Sequence, residues 1–170
     1  MSSVGHCAGA TSLSWEDVAT HFDPRDGGVL PDVHVPGTSV EDWQSLFDLF
    51  RENKWGCEYR EGFARLPFPT AAEVFSRSAD GECVEMYVRP VPDMLAIFRA
   101  YSADEIDFDV DLRELQGQDR LDILCDFLSA VGRRLGKPVI MTAEGFREFP
   151  ILGFDPEVDR VVLLAADAEG

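Results

Sequence analysis

Between Ile106 and Leu112 apolar and acidic residues alternate without a break: Ile106, Phe108, Val110 and Leu112 interleave with Asp107, Asp109 and Asp111. Strand side chains point alternately to opposite faces, so the pattern predicts a half-buried strand with a row of carboxylates on its outer side. Asp is a poor strand former, and like charges two residues apart repel. Strand propensities span about 1 kcal/mol, whereas burying an Ile or Phe side chain contributes about 1.5–3 kcal/mol. The apolar side therefore wins, and the acidic side needs water, a cation or a basic partner.

The next stretch carries the clearest helical pattern. Leu121, Leu124, Cys125, Leu128, Val131 and Leu135 recur at 3.6-residue spacing, and Ile123 and Phe127 widen the stripe. Asp119 is expected to cap the N-terminus, with Asp122 in the first turn favourable to the helix dipole. Arg133 and Arg134 suit the C-terminal end, Gly136 the left-handed cap, and Pro138 forbids continuation. The predicted helix runs from Arg120 to Leu135.

A second helix is predicted from Ser39, whose capping box with Asp42 precedes the stripe Val40, Trp43, Leu46, Phe47 and Phe50. A short strand over Val29 to Val35, which Pro31 places either at its start or at a sheet edge, and another over Trp55 to Arg60 flank it. Ser14 and Asp17 suggest a short capped helix, and Thr70 and Glu73 another. Glu61 to Pro69 reads as irregular, and Ser78 to Gly81 as a turn. Cys83 to Arg89 and Met94 to Tyr101 read as strands joined by the short connection Pro90 to Asp93, hence an antiparallel pair. Val139 to Thr142 is a further strand, and Phe146 to Phe149 a loop. Pro150 to Phe154 and Arg160 to Leu164 flank a five-residue hairpin loop. These elements predict an α+β fold: a mostly antiparallel sheet with two main helices packed on one face, with split βαβ (ferredoxin-like) connectivity as one arrangement. Residues 14–165 are expected to form a single domain, between flexible tails at 1–13 and 166–170.

Composition bounds the function classes. The chain carries 32 acidic against 15 basic residues, a net charge of −17. Phosphates are repelled by such a surface, so neither nucleic acid nor an anionic membrane is an expected partner. No apolar run approaches the ~18 residues of a membrane span. The N-terminus lacks a signal-peptide pattern, and the four cysteines show no paired spacing. A cytoplasmic location with reduced thiols is therefore expected. The oligomeric state is not legible.

The motifs of nucleophilic, nucleotide-binding and zinc-peptidase sites are missing, which favours a non-enzyme, and no cofactor or metal is expected. Asp107-x-Asp109-x-Asp111 opens like a calcium loop, but the required Gly and Glu positions hold Leu112 and Gln118. His34 is a candidate only as a neighbour across the sheet. The leading expectation is an acidic binding protein for a basic protein partner, in one form an immunity-type inhibitor of a cationic toxin. Asp107, Asp109 and Asp111 would make the contact, with Asp104 and Glu105 as its rim. Two other readings are a small metal-dependent hydrolase using the acidic strand and His34, and a scaffold or regulatory subunit with an apolar contact surface.

Overall fold

The computed structural model describes residues 13–77 and 81–165. All of the expected tail at 1–13 except Leu13, the expected tail at 166–170, and most of the turn at 78–81 lie outside the described residues. In chain order the elements are helix α1 (Trp15–Val18), tightening into a 3-10 turn at Ala19–Phe22, strand β1 (Asp32–Pro36), helix α2 (Val40–Glu52), and strands β2 (Gly56–Glu61) and β3 (Ala64–Leu66). Helix α3 (Ala71–Phe75) follows, then strands β4 (Val84–Val91), β5 (Met94–Arg99) and β6 (Glu105–Asp109). After a 3-10 turn at Leu112–Glu114 come helix α4 (Gln118–Leu135) and strands β7 (Val139–Ala143), β8 (Phe146–Asp155) and β9 (Arg160–Leu163).

Among the described residues nine strands form one antiparallel sheet, in the order β3-β2-β4-β5-β6-β1-β7-β8-β9. The α+β class is therefore as the sequence predicts. Both strand–helix–strand crossovers join parallel strands across intervening ones. The β6–α4–β7 crossover straddles β1, and the β1–α2–β2 crossover straddles β6, β5 and β4. This order does not by itself establish ferredoxin-like connectivity.

Both main helices lie on one face of the sheet. Phe50 of α2 and Phe127 of α4 both meet Phe98 of β5, and Phe98 stacks on Phe108 of β6 with centroids 4.2 Å apart. The α4 stripe Leu121, Leu124, Cys125, Leu128 and Val131 is buried, as its spacing requires. On the strands every second residue joins this core: Val33 and Val35, Met86 and Val88, Ala96 and Phe98, Ile106 and Phe108. The residues between them face away from the helices. No helix among the described residues is long and apolar enough to cross a membrane.

Several local expectations change. The cap of α4 is Gly117, with φ +100°, and Asp119 lies inside the first turn. Gln118 explains the earlier start, because its side chain receives the Trp15 N–H and donates to the Leu13 carbonyl, a contact 103 and 105 residues distant in sequence. Ser14 makes no side-chain capping bond. Ser39 does, within a full capping box with Asp42, and Thr70 accepts from the Glu73 N–H. Ala64–Leu66, expected to be irregular, pairs with β2 across a turn in which Gly62 has φ +61°. Phe146 to Phe149, expected to be a loop, opens β8, and a shift of register between Thr142 and Ala143 absorbs the extra residues.

One contact sets the distance between α4 and β8. A Cβ placed on Gly132 would stand 2.1 Å from the Phe154 ring. Ala is the better helix former by about 1 kcal/mol, but forcing atoms into a packed core costs about 1–3 kcal/mol. Phe154 is itself buried and has little room to yield. Gly132→Ala is therefore expected to destabilise the chain by up to about 2 kcal/mol in urea denaturation, and a stabilised variant would contradict this packing.

Candidate functional site

The face of the sheet away from the helices carries the polar residues of the central strands. Pairing registers place them in rows that cross the strands. One row runs Arg60, Glu85, Arg99, Asp107, His34, Ile140, Gly153, Val162, from β2 through to β9. The neighbouring row runs Glu58, Tyr87, Ile97, Asp109, Asp32, Thr142.

On the β2 side of these rows each acid has a cation. Arg60 binds Glu58 at 2.8 Å and lies over the Tyr87 ring, and Arg65 also binds Glu58. Arg99 bridges Glu85, at 3.1 Å, and Asp109. Beyond Arg99 neither row carries a further Lys or Arg. Among the described residues neither Asp107 nor Asp32 has an ion-pair partner, and no hydrogen bond reaches the Asp107 carboxylate. Asp32, His34, Asp107, Thr142 and Arg147 line a recess of about 140 Å³ at this point. Arg147 reaches it from the start of β8 but forms its ion pair with Glu105.

The local electrostatics follow from this shortage. Burial, then the negative charges of Asp32 and Asp109, pushes the Asp107 carboxyl up to about 6, against the pull of Arg99. Burial also raises Asp109, with Arg99 opposing. Burial and the charge of Arg147 hold the His34 imidazole below its ordinary value, while Asp32 pulls the other way. At neutral pH the recess therefore presents carboxylates beside a neutral imidazole, a combination suited to a guanidinium or ammonium group. Among the described residues no three His, Cys, Asp or Glu side chains come together as metal ligands.

The expected contact residues divide. Asp107 and Asp109 share the outer face, and Glu105 stands on its edge with Arg147. Asp104 is exposed in the turn before β6, where its carbonyl accepts the Thr38 N–H. Asp111 is a correction to the expected carboxylate row. The regular ladder of β6 ends at Asp109, and Pro31 opposite has no N–H with which to extend it. Asp111 instead caps the following 3-10 turn and binds Arg113 at 2.8 Å, which lowers its pKa. The residues that sequence reasoning missed are Asp32, Thr142, Arg99 and Arg147. Asp32 and His34 do alternate with Val33 and Val35, but only the pairing of β1 beside β6 brings them to Asp107.

Comparison of the chain with protein-family models, with curated proteins and with solved structures gave no match. The chemistry of the recess therefore stands alone as the guide to function.

That chemistry has a consequence for stability. Folding raises the Asp107 pKa from about 4 to about 6, so the folded chain holds this proton where the unfolded chain has lost it. Stability from this group is thus present below about pH 4 and is lost as pH rises to about 6. The full shift corresponds to about 3 kcal/mol, and partial exposure to solvent reduces it to about 1 kcal/mol. Asp107→Asn is expected to be about 1 kcal/mol more stable than the parent at pH 8 and equal to it near pH 4. Denaturation curves across that range measure the difference. A variant less stable at pH 8 would mean that the fold supplies a partner for the carboxylate.

Proposed function

We propose that this chain is a binding protein that engages a basic protein through the open face of its sheet, with the recess between β6 and β1 taking an arginine or lysine side chain. The observation that carries the reading is the pair Asp107 and Asp32, neither of which has an ion-pair partner among the described residues, in a recess whose lining cation, Arg147, is paired with Glu105 instead. A protein that keeps such carboxylates half-buried loses stability by doing so, and a cation from a partner would recover it. The overall charge of −17 adds long-range attraction, which speeds encounter with a basic partner. An inhibitor that neutralises the cationic active site of a toxin, as an immunity protein does, is the concrete form that fits a small acidic chain. The proposal places it in the cytoplasm, where Cys57, Cys83 and Cys125, free among the described residues, stay reduced.

Arg147 gives the reading a test with a definite sign. It is the cation that lines the recess, so it competes with an incoming one. Arg147→Ala is expected to bind an arginine-containing peptide about three- to tenfold more tightly at low salt, measured by fluorescence anisotropy, with the gain shrinking as salt is added. Weaker binding would mean that Arg147 contacts an acidic ligand, and the proposal would fail.

A second reading keeps one observation in its favour. His34 and Asp107 are cross-strand partners in one recess with pKa values pushed toward each other, an arrangement that suits acid–base chemistry. Hydrolytic turnover abolished by both His34→Gln and Asp107→Asn would favour it over the binding reading.

A further inference from the structure

The row that holds Asp107 and His34 continues into apolar residues: Ile140, Gly153 and Val162 follow on β7, β8 and β9. Gly153 brings bare backbone to the floor of a groove on the sheet face, with the Leu164 side chain packed beside it. A Cβ there would stand 2.6 Å from the Val139 carbonyl oxygen, a backbone atom that cannot swing away, so the groove cannot be filled from within the strand. Ile140, Val162 and Leu164 border it, and Leu164 is 42% exposed. The groove so formed measures about 460 Å³. Its rim carries Asp155 and Glu157, and among the described residues no Lys or Arg lines it.

Resting on the reading above, we propose that the same basic partner places an apolar side chain in this groove, about 10 Å across the strands from the cation it places in the recess over β1. The spacing follows from the register. The recess is centred on β1 and the groove on β8, two strands away, and neighbouring strands lie about 4.8 Å apart. Charge selects the occupant. An apolar floor with an acidic rim, beside two unmatched carboxylates, fits a segment in which Leu or Phe neighbours Arg or Lys. A second copy of this chain would set acidic rim against acidic rim at a net charge of −17 each, and an anionic membrane would be repelled in the same way. The groove supplies what the charged recess lacks, since charge speeds encounter but buried apolar area slows release.

The test uses the full chain and two peptide probes of equal length and charge. One combines arginines with leucines, and the other has serine at every leucine position. Fluorescence anisotropy at moderate salt is expected to show the leucine peptide binding about tenfold or more tightly. Leu164→Ser and, separately, Val162→Thr should reduce that preference by at least about threefold while leaving the serine peptide's affinity unchanged. Two variants with small, strand-compatible changes guard against misfolding, and cooperative melting of each verifies the fold. Equal affinity of the two peptides for the parent chain overturns the groove proposal and leaves the charged recess standing. Binding of neither peptide in a manner that depends on Asp107 overturns the underlying reading as well. Self-association that Leu164→Ser abolishes would give the groove to a second copy and overturn the proposal.

Discussion

Phe108→Ala lowers the stability of the folded chain by about 3–5 kcal/mol, the largest loss expected from any one truncation on the acidic strand. Phe108 is fully buried, stacks on Phe98 and meets the edge of Phe127 at 5.8 Å. It thus ties β6 both to its neighbour β5 and to helix α4. The removed ring leaves a cavity whose walls belong to three elements and cannot all collapse together. Aromatic pairing adds about 0.5–1.5 kcal/mol for each ring contact beyond the area buried. On the opposite side of the same strand, burial and like charge work against Asp107. The inner face must therefore supply nearly all that holds the carboxylates in position. Urea denaturation followed by tryptophan fluorescence measures the loss. A value below about 1 kcal/mol would show that β6 is held from its outer side.

The second large effect concerns binding. Replacing Asp32, Asp107 and Asp109 together by Asn is expected to weaken binding of an arginine-rich peptide about a hundredfold at low salt. Exposed ion pairs contribute about 0.2–1 kcal/mol, and truncating one partner of a buried charge pair costs about 2–5 kcal/mol. These half-buried carboxylates belong between, near 1 kcal/mol each, and together they account for about two orders of magnitude. The control removes the same number of charges from the exposed positions Glu16, Glu41 and Asp119 on α1, α2 and α4. Long-range attraction falls equally in both variants, so the control should lose less than about fivefold. Equal losses would mean that the overall charge, rather than this face, does the binding.

How much of this was legible in the sequence depends on the range of the interactions involved. The alternation over 106–112 and the α4 stripe are local periodicities; the strand forms at Glu105–Asp109, short of the expected end at Leu112, and the helix at Gln118–Leu135, two residues ahead of the expected start. The capping box at Ser39 is equally local. Three features rest on distant contacts and were misjudged. Asp111 leaves the regular ladder where Pro31, eighty residues earlier, has no N–H to donate, although Leu112 still bonds to the Val29 carbonyl, and Arg113 offers it an ion pair. Helix α4 begins before Asp119 because Gln118 is tied to the segment around Leu13. Residues 146–149 join a strand because β8 pairs with β7, with Phe146 opposite Ala143 and Pro150 opposite Thr142, and the surplus residues form a bulge. The site was half legible for the same reason. Asp107 and Asp109 announce themselves, whereas Asp32, Thr142 and Arg147 reach them only because β1 lies between β6 and β7. No periodicity in a single chain segment encodes that strand order.

The most direct measurement is an amide NMR titration of the full chain with an arginine-rich peptide at low salt. Shift changes are expected to concentrate on the strands that frame the recess, at 32–35, 105–109 and 140–142, and Asp107→Asn is expected to suppress them. Changes concentrated on helices α2 and α4, or spread evenly over every acidic stretch, would contradict the claim that this chain meets a basic partner on the open face of its sheet.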